Sequence, residues 1–105
     1  MGGILERLKQ KRRRKRIERI RACWRILKNT DANYGYRKKA LKDLCEMANY
    51  SRLHIQEGMY DMVDITLSDG FEITGGNYFG KDALIDASRE VIKYIMCKQG
   101  RMRWI

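Results

Sequence analysis

Residues 9–16 read Lys9-Gln10-Lys11-Arg12-Arg13-Arg14-Lys15-Arg16, with seven cations in eight positions. A guanidinium presents a planar fork of N–H donors that matches the oxygens of a phosphate, and a lysine ammonium adds a compact point charge. The chemistry that suits this run is therefore phosphate binding, with Arg19, Arg21 and Arg25 extending the series toward residue 28. Two other anionic targets have to be weighed, a membrane surface and an acidic protein patch. The apolar residues Ile4, Leu5 and Leu8 on one side, and Ile17, Ile20 and Trp24 on the other, flank the run rather than forming a stripe opposite it. That pattern argues against a helix lying in a membrane interface.

The distribution of charge sharpens the expectation. Residues 1–28 hold twelve Lys/Arg and two Glu, a net charge of +10, whereas residues 29–105 hold eleven of each sign and are neutral. All the excess charge sits on one element, and clustered cations favour a polyanion by raising the local potential and releasing condensed counterions. The expected partner is a nucleic acid, RNA or DNA, or a nucleic-acid-bound protein complex. A second cationic group, Arg37-Lys38-Lys39, follows Tyr34 and Tyr36, whose rings are candidates for stacking on unpaired bases. A protein of the kind phages and mobile elements encode, which inhibits a host nucleic-acid machine by occupying its surface, is the alternative on the same features.

Catalytic chemistry has little to draw on. His54 is the sole histidine, and a general base without a partner residue is a weak candidate. Asp61, Asp64, Asp69 and Glu72 gather in one stretch, but Asp64 and Glu72 alternate with apolar neighbours as a solvated strand face does. Gly75-Gly76-Asn77 lacks the Gly-Lys-Ser/Thr that completes a phosphate loop. Cys23, Cys45 and Cys97 match no zinc or redox spacing, so no metal and no cofactor are expected and the chain reads as a non-enzyme. The odd cysteine count and the absence of a signal-peptide pattern point to a reducing, cytoplasmic setting. No apolar run approaches the roughly 20 residues that span a bilayer, and no membrane partner is expected.

The elements that must position these residues follow from periodicity. From Gly3 to Lys28 no breaker intervenes, and apolar residues recur at steps of three and four, which predicts one long helix whose second half, 17–28, packs on the domain. Charge all round residues 9–16 leaves that stretch nothing to bury. Asn29–Gly35 reads as a loop, and Ala40, Leu41, Leu44, Met47 and Ala48 predict a second helix over about 36–49. Cations at its start oppose the helix dipole and hint at an anion bound there.

Beyond Arg52 the period becomes two. Val63, Ile65 and Leu67, then Phe71 and Ile73, belong to one face only if Ser68-Asp69-Gly70 forms a three-residue loop that pairs Leu67 with Phe71 and Ile65 with Ile73, with Gly70 left-handed. A shorter strand over Leu53–Gln56 precedes this hairpin across Glu57-Gly58. A last helix over about 81–98 carries Leu84, Ala87, Val91 and Ile95, with Gly100 at its end, and Trp104 and Ile105 are expected to dock on the domain. The fold class is α+β: a basic N-terminal helix (1–28), then a compact unit (29–105) of a second helix, a three-stranded antiparallel meander and a C-terminal helix packed on one face of the sheet.

The stretch Gly80-Lys81-Asp82-Ala83-Leu84-Ile85-Asp86-Ala87-Ser88-Arg89-Glu90-Val91-Ile92, closing a helix–three strands–helix order over residues 37–98, resembles the double-stranded-RNA-binding domain. The resemblance implies a shared fold, with Ala83, Ala87, Ser88, Val91 and Ile92 as its buried small residues. Where that family places a lysine cluster to grip phosphates, this chain has Lys81 with Asp82 and Leu84 beside it. The resemblance therefore implies RNA contact whose cations come from the N-terminal helix.

Overall fold

The computed structural model describes residues 3–76 and 82–99. Helix α1 (Gly3–Lys28) runs unbroken, as its lack of proline and internal glycine allows, and a short loop reverses the chain into α2 (Tyr34–Met47). Asn33 begins α2 by accepting a hydrogen bond from the Tyr36 amide on its side-chain oxygen, 3.3 Å away. This cap moves the helix start two residues ahead of the expected position and places Tyr34 and Gly35 in the first turn rather than in the loop. The other end closes earlier than expected as well, because Asn49 takes a left-handed conformation (φ 59°).

Two contacts fix the helices as an antiparallel pair. Near the start of α2, Arg37 donates to the Leu27 carbonyl in the last turn of α1; at the end of α2, the Met47 carbonyl accepts from Arg16. The second half of α1 is thus laid along α2, and its first half overshoots. Ile20, Cys23 and Leu27 are buried at the usual helical spacing, whereas every residue from Gly3 to Lys15 is exposed. Ile17 and Trp24, expected on the buried stripe, lie half-buried at its margin, since Cys23 and not Trp24 faces α2 and the core.

Strands β1 (Tyr50–Gln56), β2 (Met62–Leu67) and β3 (Glu72–Gly76) form an antiparallel sheet in sequential order. The hairpin register is the expected one. Ile65 pairs with Ile73, the Leu67 amide donates to the Phe71 carbonyl at 2.8 Å, and Gly70 turns the loop at φ 89°. β1 is longer than the stretch Leu53–Gln56; its start is irregular at Ser51, whose hydroxyl donates to the Thr66 carbonyl of β2. Alternation places Val63, Ile65, Leu67 and Ile73 on the buried face and Arg52, His54, Asp64, Glu72 and Thr74 on the exposed one, while Phe71, expected with the buried set, precedes β3 and is 45% exposed with its ring centre 5.5 Å from that of Tyr94.

Helix α3 (Ala83–Tyr94) follows, begins at an Asp82 cap whose carboxylate accepts from the Ile85 amide at 3.0 Å, and passes into a π-helical turn (Ile95–Gln99). It crosses β3 closely. A Cβ on Gly75 would stand 2.6 Å from the Ala83 carbonyl oxygen and 2.8 Å from the Ala87 nitrogen, so only glycine admits this approach. Leu84, Ala87, Val91 and Ile95 are buried against the sheet and α2. The architecture is α+β, with the C-terminal helix on the sheet as expected. Residues 77–81, Gly100 and the expected docking of Trp104 and Ile105 lie outside the described residues.

Candidate nucleic-acid interface

Helix geometry sets the reach of the cationic run. At ~1.5 Å per residue, the exposed stretch from Gly3 to Lys15 extends roughly 20 Å past the point where α1 leaves α2. The radius of gyration, 15.1 Å, exceeds the ~13 Å of a compact chain of this length, as such an overshoot requires. With ~100° between successive residues, Arg12 and Arg14 point to opposite sides of the helix, and Lys9, Lys11, Arg13 and Lys15 fill the directions between them. All six are exposed, and among the described residues no carboxylate pairs with any of them. Arg19, Arg21 and Arg25 are exposed on later turns, beside the domain.

Arg16 belongs to the run in sequence but is half-buried. Its guanidinium lies 3.3 Å from the Met47 carbonyl, one of the unpaired carbonyls at the end of α2. It anchors the arm at the point where the arm leaves the domain.

Arg37, expected among the phosphate contacts, is instead buried and bonded within the fold. The residue is only 3% exposed, and its Nε and Nη2 donate to the Leu27 carbonyl at 3.1 and 2.6 Å. Nη2 also lies 3.0 Å from the Asp82 carboxylate. One guanidinium thereby joins the end of α1, the first turn of α2 and the cap of α3, committing its Nε and Nη2 donors to contacts within the fold. Lys38 is half-buried and pairs with Glu57. The anion that the cations at the start of α2 call for is supplied by the protein's own carboxylates, Asp82 and Glu57. Lys39 remains exposed.

The two stacking candidates part company. Tyr36 is 57% exposed on the first turn of α2. Tyr34 is half-buried, and the Lys38 ammonium lies 5.3 Å from its ring centre. Its hydroxyl is buried without a hydrogen-bond partner among the described residues, and burial, followed by the nearby Asp61, Glu57 and Asp82, raises its pKa. Tyr34 is part of the packing around α2, with the Lys38 ammonium over its ring.

The carboxylates of the hairpin do not converge. Asp61 accepts from the Gly58 amide, Asp69 accepts from the Tyr94 hydroxyl at 2.6 Å, and Asp64 and Glu72 stand on the exposed sheet face. Among the described residues no group of three or more His, Cys, Asp or Glu side chains is placed to hold a metal ion, and no helix is long and apolar enough to cross a membrane.

One surface feature escaped sequence reasoning because it is assembled across distant segments. Ile17, Ile20 and Trp24 of α1 face Ile92 of α3 and Met96 of the following turn across an open groove of about 360 Å³, bordered by Arg21, Arg89 and Lys93. The spacing of Arg89, Ile92, Lys93 and Met96 along one helical face was the only signal in the sequence.

No protein-family model, curated protein or solved structure matches the chain.

Proposed function

We propose that this is a nucleic-acid-binding protein that meets phosphates with the projecting first half of α1. The observation that carries the reading is the overshoot of that helix beyond α2. Lys9, Lys11, Arg12, Arg13, Arg14 and Lys15 stand clear of the domain with cations in every direction around the axis. A flat anionic surface engages one side of a helix and leaves the opposite charges idle. A groove walled by two phosphate backbones engages both sides, and a major groove about 12 Å wide admits a helix of this kind.

The domain supports the same reading by holding the arm in one direction. Arg16 fixes its root on α2, and Ile20, Cys23 and Leu27 bury the following turns. Self-repulsion along the run, a few tenths of a kcal/mol per like pair at i,i+4, is offset by this anchorage and relieved further when phosphates neutralise the arm. Arg19, Arg25, Lys39 and the ring of Tyr36 extend the contact to the domain surface. A major groove ~12 Å wide belongs to B-form DNA, and the likeness of residues 37–98 to the double-stranded-RNA-binding domain points to RNA, so duplexes of both kinds are the polymers to compare first.

The test compares the full-length protein with a variant in which Lys9, Lys11, Arg12, Arg13, Arg14 and Lys15 are all changed to glutamine, leaving Arg16 in place. Binding to duplex RNA, duplex DNA and single strands is measured at two salt concentrations. The expected result is steeply salt-dependent binding by the wild type, its loss in the variant, and a preference that names the polymer. Salt-independent binding, or equal binding by both proteins, removes the proposal.

A further inference from the structure

The groove between α1 and α3 lies on the domain, away from the projecting arm, and has a different chemistry. Its floor is apolar, built from Ile17, Ile20, Trp24, Ile92 and Met96, while Arg21, Arg89 and Lys93 stand exposed along its rim. Trp24 is flanked by cations, with the Lys28 ammonium 5.8 Å and the Arg89 guanidinium 5.9 Å from its ring centre. Glu90 lies 3.7 Å from Lys93 in an exposed pair of little energetic weight.

We infer that this groove docks an acidic amphipathic helix of a partner protein. The floor selects for large apolar side chains, since branched aliphatics, a tryptophan and an adaptable methionine offer contact area and no hydrogen-bonding partners. Nucleobases would leave their polar edges unmatched there. The rim selects for charge, because three cations around an apolar floor complement carboxylates placed on either side of an apolar stripe. A helix reads out that combination through residues at i, i+3 and i+4, and the floor here is itself shaped by two helices. A second copy of this chain is the wrong partner electrostatically, since it carries a net charge of +10, and residues 101–105 of the chain itself bring two more arginines. The inference is independent of what the arm binds.

The experiment selects peptides from a random helical library with the full-length protein, then maps each by amide chemical shifts and measures its affinity for wild type and for the double variant Arg89→Glu, Lys93→Glu. Both positions are exposed, so the variant retains the core. The inference predicts peptides with two large apolar residues three or four apart flanked by Asp or Glu, shifts centred on residues 17–24 and 89–96, and at least a tenfold loss of affinity in the variant. Peptides that are acidic without the apolar pair, or shifts centred on residues 9–15, would overturn it. So would a wild-type dimer whose interface maps to the groove, or contacts from Trp104 to Ile92 or Met96 in the free protein. Failure to enrich any peptide on wild type over the variant overturns it equally.

Discussion

The Arg37 guanidinium lies 3.0 Å from the Asp82 carboxylate while donating to the Leu27 carbonyl, so a single buried side chain ties the three helices together. Asp82 in turn caps α3 through the Ile85 amide. Removing Arg37 leaves the Leu27 carbonyl buried without its donor and takes the cation from the part-exposed Asp82 carboxylate, which costs more than the set contributes when intact.

Arg37→Ala is therefore expected to destabilise the fold by about 2–3 kcal/mol in urea unfolding. Arg37→Lys recovers only part of this, because an ammonium cannot span the carbonyl and the carboxylate as the fork does. A double-mutant cycle with Asp82→Ala should return a coupling of roughly 1 kcal/mol or more. Additive effects would show that the two residues act separately.

Exposed cations of the arm behave in the opposite way. Substituting Lys11, Arg13 and Arg14 with alanine should change stability by no more than ~0.5 kcal/mol each, since their side chains pack on nothing. The same changes should lower the slope of log affinity against log salt by about 0.9 for each phosphate that is no longer neutralised on duplex DNA. Arg16→Ala differs from all of them by costing stability, because it leaves the Met47 carbonyl unpaired. Thermal unfolding and salt titrations of the four single variants separate the two kinds of cation.

Gly75→Ala is expected to cost about 1–3 kcal/mol although it adds a single methyl group. That methyl would press on the Ala83 carbonyl oxygen and the Ala87 backbone, which α3 cannot yield without lifting from β3. The structural readout is a loss of amide-exchange protection in α3 and β3, with α1 and α2 less affected. A variant as stable as wild type would mean that α3 sits farther from the sheet.

Alkaline pH should weaken the fold. Burial pushes the Cys45 thiol from about 9 up to about 12, and burial also raises Cys23. Between those values the folded state holds a proton that the unfolded chain releases, so stability is full below pH ~9 and falls as pH rises toward 12. The slope approaches ~1.4 kcal/mol per pH unit for one such group. Cys45→Ala should flatten it, as urea midpoints at pH 8, 9 and 10 will record. The exposed Cys97 should react with a thiol reagent in the native protein while Cys23 and Cys45 react only on unfolding.

The parts of this molecule that were legible in the sequence are those set by neighbours in the chain. The hairpin register followed from the period of Val63, Ile65, Leu67, Phe71 and Ile73 together with Gly70, and the long α1 followed from the absence of a breaker and the three- and four-residue steps within its two apolar patches. The role of Arg37 was hidden because an arginine in a basic cluster reads as solvated, and its partners, Leu27 and Asp82, are brought to it only by the packing of three helices. Trp24 packs at the margin of the domain, as the second half of α1 was expected to, while Cys23 one position earlier is the residue buried in the core. The groove depends on the relative placement of α1 and α3, which no local pattern encodes.

A rod clamped at one end magnifies small rotations at its clamp. From the Arg16 anchor to Ile4 the helix extends about 18 Å, so a tilt of ~10° there would carry the tip sideways by roughly 3 Å. That displacement is comparable to the spacing between a cation and its phosphate. The stiffness of that clamp, Arg16 on the end of α2 together with the buried turns at Ile20, Cys23 and Leu27, thus sets how sharply the position of every charge on the arm is defined.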